Sequence, residues 1–332
     1  MTVPRSRTTP RESIDALLKA RVRARVKALL RRRAPSAQSL IVTLFGDCVS
    51  QHGGSLWLGS LIKVLAAFGI NERLTRTSVF RLVQDQWLCV ERIGRRSYYR
   101  FAAHGQREFE RTARRVYTIE RAPWDGTWTL AILHSVSGDS REALRTSLGW
   151  IGFGQLASGV FAHPSADRQA VVDVIEELGV ARQVLLMDAR IVESASVPEL
   201  AHNRWRLPEL AARYRRFVTD FTPIARALPN AAEPSLCFVI RTLMIHEYRR
   251  ILLVDPDLPD ALLPDAWPGR AAAELTKAMY VAVAERSTLF AMQTLENESG
   301  ALPEPIEEFS RRFAGHAETT TSIRSKPRKR MR

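Results

Sequence analysis

Gly69-Ile70-Asn71-Glu72-Arg73-Leu74-Thr75-Arg76-Thr77-Ser78-Val79-Phe80-Arg81-Leu82-Val83-Gln84, followed by Gly94-Arg95-Arg96, is the stretch whose reading decides the fold. Gly69 suits the end of one helix and Asn71 the N-cap of the next, so a helix is predicted from Glu72 to about Gln86 after a tight turn. Val79, Leu82, Val83 and Trp87 fall at core-facing spacing, and Arg73, Arg76, Thr77, Phe80 and Gln84 fall on the opposite side. Upstream, Ser39–Ser50 is apolar-rich, Gly53-Gly54 breaks it, and Ser55 is placed to cap a second helix over Trp57–Phe68. Downstream, Leu88–Ile93 and Ser97–Phe101 are β-like runs around the Gly94-Arg95-Arg96 hairpin. Three helices with a tight turn before the third, then a basic hairpin, is the order of a winged helix-turn-helix, whose third helix enters the DNA major groove.

The exposed face of that helix carries base-reading chemistry. Arginine pairs with guanine N7 and O6, glutamine with adenine, and threonine or phenylalanine touches a thymine methyl. Arg76 and Thr77 are the expected base readers, with Arg73 closer to phosphate. In the hairpin, Arg95 and Arg96 sit at the tip and Arg92 and Arg100 on the flanking strands, suited to backbone or minor-groove contact. Each arginine also fits a plain solvated face with pairs such as Glu72–Arg76. The order of turn, basic face and basic wing favours DNA.

The chain has 332 residues, 45% hydrophobic and 25% charged, an ordinary globular composition with room for two or three domains. There is no run of eighteen apolar residues, and Met1-Thr2-Val3-Pro4-Arg5 has no apolar segment behind it, so neither a membrane span nor a secretory signal is expected. Cys48, Cys89 and Cys237 lack metal or disulfide spacing, which fits a cytoplasmic location. The net charge of +14 is unevenly placed. Residues 1–37 carry +9, residues 324–332 carry +6, residues 39–101 carry +4, and residues 102–323 are about −5. The basic arm, residues 1–37, opens a helix at Thr9-Pro10-Arg11-Glu12, a capping box. Such a helix packs on a partner, lies along DNA phosphates, docks on an anionic membrane, or is a solvated extension.

Beyond the first domain (38–117), Trp124-Asp125-Gly126-Thr127-Trp128 opens a second (122–200). Its pattern is strand (Trp128–His134), helix (Asp139–Trp150), strand (Leu156–Ala162), helix (Asp167–Leu178) and strand (Gln183–Ile191), an α+β sheet. Residues 201–298 read as helical, over Leu207–Phe221, Ser235–Leu253 and Arg270–Leu295, and 299–332 as a basic, disordered tail. No enzyme motif survives inspection. His246-Glu247-Tyr248-Arg249-Arg250 has arginine where a zinc protease needs its second histidine, and Gly152-Phe153-Gly154-Gln155 follows a helix where a dinucleotide loop follows a strand.

Ser39–Asp47, Trp57–Ile62, Gly69–Arg73, Arg76–Val79, Gly94–Arg100, Trp124–Trp128, Arg241–Arg250, Asp255-Pro256 and Trp267-Pro268 together resemble the PaaX family of repressors. The resemblance implies an α+β chain with an N-terminal winged helix-turn-helix, a central ferredoxin-like (Cas2-like) domain and a helical C-terminal domain. It also implies a homodimer on an operator of phenylacetate-type genes, released by phenylacetyl-CoA or a related aryl-CoA, with no cofactor and no membrane partner. A Cas2-like nuclease is the alternative, but Leu133-His134-Ser135 stands where its metal-binding aspartate is needed. Three features depart from the family: the long basic arm, the long basic tail, and Phe80 where a small polar residue is expected. For the effector, Thr242, His246, Arg249 and Arg250 share one helical face with Arg241 beside them, and Trp205, Arg206 and Tyr214 offer an aromatic wall. The same residues also fit a surface helix paired with Glu247 and Asp255.

Overall fold

The computed structural model describes residues 10–117, 123–136, 138–191, 197–228, 232–307 and 312–313. Helix α1 (Pro10–Arg32) leads into α2 (Ala37–Asp47), strand β1 (Ser55–Trp57), α3 (Leu58–Ala66), α4 (Glu72–Gln84), β2 (Leu88–Ile93), β3 (Arg96–Phe101) and α5 (Ala103–Tyr117). Apolar residues surround α2 on every side, so it is a fully covered helix, with Leu40, Ile41, Leu44 and Phe45 almost inaccessible. Asn71 caps α4 as its sequence position predicts, its side chain accepting from the Leu74 amide at 2.9 Å. The three strands form an antiparallel sheet in the order β1-β3-β2, and Gly94 (φ +58°) opens the two-residue turn of the hairpin.

Two elements here were not legible. Ser55 is no helix cap; Ser55-Leu56-Trp57 pairs with Tyr98–Arg100 of β3 before α3 begins. Helix α5 follows the sheet directly, and Gly105 lets it approach the Trp87 carbonyl, since a Cβ there would lie 2.2 Å from that oxygen.

The central segment runs β4 (Thr127–Leu133), α6 (Gly138–Trp150), β5 (Gly154–Ala157), β6 (Val160–His163), α7 (Arg168–Glu177) and β7 (Val184–Arg190). Its antiparallel sheet has the order β5-β6-β4-β7, the β-α-β-β-α-β layout of a ferredoxin-like domain. The single strand expected over Leu156–Ala162 is a hairpin, because the chain turns at Gly159 (φ +77°). Ala131, Leu133, Leu144, Leu148, Phe161 and Val171 make its own small core.

Helices α8 (Val197–Arg204), α9 (Leu207–Ala227), α10 (Pro234–Leu252) and α11 (Pro268–Thr294) and the hairpin β8 (Glu296–Asn297) with β9 (Gly300–Ala301) complete the described chain. Helix α10 is the hub, packed against α2, α5, α9 and α11. One apolar core runs continuously from Phe45 and Leu65 through Phe238 and Met244 to Val283, and Trp128 and Ala162 join one face of the central sheet to it, while the opposite face closes on its own smaller core.

Two expectations about the extensions are corrected. The basic helix α1 is not free: Val22, Val26 and Leu29 are buried, and the helix lies against α9. Its arginines meet acids of the body, Arg23 with Glu233, Arg32 with Asp220, and Arg33 with Glu247 at 3.1 Å. Nor does structure stop at residue 299. Leu302 is buried, the Ile306 amide donates to the Gln51 carbonyl at 3.0 Å, and Arg312 and Phe313 pack into the interior. Thr9 and the basic residues from Arg324 to Arg332 lie outside the described residues.

Candidate nucleic-acid interface

Helix α4 divides as its periodicity requires. Thr75, Ser78, Val79 and Leu82 are buried, Val83 and Trp87 are half-buried, and Arg73, Arg76, Thr77, Phe80 and Gln84 are exposed. Arg76 donates to Glu72 through Nε at 2.9 Å and Nη2 at 2.7 Å. A pair this exposed contributes little and yields readily to a stronger acceptor. The Thr77 hydroxyl donates to the Arg73 carbonyl at 3.0 Å, and Phe80 is 62% exposed.

Strand register sorts the hairpin arginines onto two faces. Arg92 lies opposite Ser97, on the side of the sheet shared with Val90, Tyr99 and the buried Leu56 and Leu88. Burial raises the Tyr99 phenol, while the charges of Arg92 and Arg76 both act to lower it. Arg96 and Arg100 occupy the other side. Arg96 stacks on Trp57 at 4.3 Å and donates to Glu296 at 2.9 Å, and Arg100 pairs with Glu91. The expected wing set therefore splits: Arg92 lies with α4, Arg95 is exposed at the turn, and Arg96 and Arg100 are engaged by the protein's own acids.

Behind α4, the C-terminal end of α2 places Asp47 in a buried ion cluster that the sequence reading missed. The Asp47 carboxylate accepts from Arg241 Nε (2.8 Å), the Tyr117 hydroxyl (2.6 Å) and Arg312 (3.2 Å), and its carbonyl accepts from Arg241 and Arg312, each at 2.7 Å. Arg312 also stacks on Tyr117 at 4.1 Å, while Phe313 meets both Tyr117 and Tyr280. Burial opposes the Arg241 charge, and Asp47, Tyr280 and Cys48 together more than offset it, so the guanidinium stays protonated. The one available signal was an aspartate ending the otherwise apolar run Ser39–Asp47.

The proposed effector face fares differently. Arg241, Thr242, His246 and Arg249 are all buried, because α10 is apolar on its remaining sides and sits inside the molecule rather than on its surface. His246 faces the Thr43 hydroxyl at 3.3 Å, and burial, aided by Arg250 and Arg249, pushes its pKa down to about 3. Burial pushes Arg249 down to about 10, and among the described residues its Nε finds no hydrogen-bond acceptor. Arg250 is exposed on Glu247, and Arg206 is exposed on Glu209 in a left-handed backbone (φ +50°). Trp205 donates to the Gly152 carbonyl at 2.7 Å and packs on Trp128.

Of that set, Tyr214 lines a large cavity. The cavity is about 930 Å³, bounded by α5, the central sheet and the C-terminal helices, with Trp124, Tyr214, Tyr248 and Trp267 as aromatic walls. Tyr214 donates to Asp255, and Arg115 donates to the Leu252 and Asp255 carbonyls at 3.1 and 2.9 Å, fixing the cavity wall. Its cations, Arg115 and Arg270, are paired with Asp257 and Asp260, and Asp125 and Glu274 add further negative charge. Among the described residues no group of three or more His, Cys, Asp or Glu side chains is arranged to hold a metal, and no helix is long and apolar enough to cross a membrane.

Comparison with known proteins matches three family models in succession: PaaX-like protein over residues 36–105, PaaX protein central Cas2-like domain over 121–201, and PaaX-like protein C-terminal domain over 205–293. The chain is 37% identical over 286 residues to the transcriptional repressor PaaX of Escherichia coli (strain K12), covering 84% of this chain and 90% of that one. A solved structure of an uncharacterised Mycobacterium tuberculosis protein is similar with a TM-score of 0.51 and 28% identity, over 76% of this chain and 97% of that one. On this identity and coverage, the chain belongs to the PaaX family.

Proposed function

We propose that this protein is a transcriptional repressor that binds double-stranded DNA through a winged helix-turn-helix formed by residues 38–101. The carrying observation is the exposed α4 face, Arg73, Arg76, Thr77, Phe80 and Gln84, with Arg92 and Arg95 exposed on the hairpin that follows it. In this reading α4 enters the major groove, Arg76 and Thr77 read base edges, Arg73 meets phosphate, and Arg92 and Arg95 hold the flanking backbone. The E. coli relative's name as a repressor supports the same role. Two copies act together on a two-fold operator, and the apolar strip of Leu185 and Met187, 52% and 46% exposed on edge strand β7, supports pairing through the central sheet.

An aryl-CoA thioester such as phenylacetyl-CoA is the proposed effector, placed in the cavity rather than on α10. The aromatic walls suit an aryl group, and the acidic lining keeps the CoA phosphates at the mouth. Mobility shifts on the DNA upstream of the gene test both halves. Arg76→Ala is expected to lose roughly 1–3 kcal/mol of operator binding and to relax base preference. Absence of sequence-specific binding at moderate salt rejects the repressor reading. Release by free CoA as readily as by the thioester rejects the aryl pocket.

A further inference from the structure

Phe80 presents the largest exposed apolar side chain on α4, 62% accessible, in the same outward stripe as Arg76, Thr77 and Gln84. Residues three and four apart on a helix stand about 5–6 Å from one another, so Phe80 lies between the expected base readers rather than at the phosphate-facing edge. The described chain leaves most of it uncovered, so the ring contributes little to the fold. A phenyl ring neither donates nor accepts a hydrogen bond, so against a bare polar base edge it strips water without replacing it. The major groove offers one apolar feature, the 5-methyl group of thymine, or of 5-methylcytosine where cytosine is modified. Cation-lined surroundings fit the polyanion that carries that methyl.

We infer that Phe80 is a specificity-determining residue that reads a pyrimidine 5-methyl group in the operator. The inference rests on the reading of α4 as the recognition helix. Burying one methyl on binding is worth roughly a fourfold change in affinity.

The experiment uses the full-length protein and duplexes that it enriches from a random pool. Single thymines across the enriched site are replaced by uracil, which deletes only the methyl. Wild type is expected to lose about fourfold at one or two positions in each half-site. Phe80→Ala, which melts like wild type because the side chain is exposed, should bind the thymine and uracil duplexes equally, and Phe80→Leu should keep part of the difference. Arg76→Ala should weaken both duplexes and preserve their ratio. At the sensitive position, 5-methylcytosine should bind more tightly than cytosine by a similar factor if the methyl alone is read; a preference for thymine over uracil without this would overturn methyl reading. A thymine–uracil ratio that survives Phe80→Ala assigns the methyl to Thr77 instead and overturns the proposal. Enrichment of a sequence with no uracil-sensitive position overturns it as well. A pool that yields no enriched sequence overturns the recognition-helix reading itself.

Discussion

Asp47→Asn is the most demanding test of how the two ends of the chain hold together. The carboxylate is 2% exposed between Arg241, 1% exposed, and Arg312. Asparagine keeps the shape but removes the negative charge and turns one of the two accepting oxygens into a donor, which then faces either Arg241 Nε, donating at 2.8 Å, or the Tyr117 hydroxyl and Arg312. Leaving a buried guanidinium without its counter-charge costs about 3–5 kcal/mol, comparable to two charge-assisted hydrogen bonds at about 1.5–3 each. At roughly 2–4 °C per kcal/mol for a chain of this size class, the melting midpoint should fall by about 6–20 °C. Arg241→Met should cost less, since Asp47 keeps Tyr117 and Arg312 as partners. The double variant should recover at least about 1 kcal/mol relative to the sum of the two. Thermal and urea unfolding followed by circular dichroism on the two single variants and the double measures this. A midpoint within about 2 °C of wild type for Asp47→Asn, or an additive cycle, refutes the reasoning.

Other outcomes follow from buried groups. His246 is neutral when folded because burial holds its pKa near 3, whereas the unfolded imidazole titrates near 6.5. Stability from this group is thus full above pH 6.5 and declines as pH falls toward 3, by at most about 1.4 kcal/mol per pH unit; burial lowers His163 and His52 too, with the same sign. Midpoints between pH 8 and 5.5, above the carboxylate range, should show the decline, and His246→Gln should flatten it. Arg249→Met should leave stability unchanged or raise it, since the guanidinium has no acceptor at Nε, and should leave release by the thioester intact; loss of release would return Arg249 to the effector site. Of the three thiols, exposed Cys89 should react with a disulfide reagent in the native protein, whereas Cys48, pushed up to about 12 by burial, and buried Cys237 should wait for denaturant.

What could be read from the sequence was local. Asn71 and the Gly94 turn fix their neighbours through single backbone hydrogen bonds and one positive φ, so α4 and the hairpin were legible within a residue or two. The strand break at Gly159 was missed although Ser158-Gly159 marks a turn, because the apolar residues on either side of it read equally well as one strand. The hairpin arginines were found as residues but not as faces, since Glu296, the partner of Arg96, lies 200 positions away. For the same reason the arginines of α10 looked like surface charges: what makes the helix central is the packing of α2, α5, α9 and α11 around it, and helical periodicity carries no record of that.

The Asp47–Arg241 bond spans 194 residues, and that separation governs how the protein is made. At about 5–20 residues per second, roughly 10–40 s pass between synthesis of Asp47 and of its partner. For that interval the face of α2 that will meet α10 has no cover, and Asp47 must remain hydrated. The first segment can form its hairpin early, yet its interior closes only when the last helices leave the ribosome. A truncated chain ending before α10 is therefore left with an open core and offered to proteases. The long-range pair can thus form only after most of the polypeptide has been made.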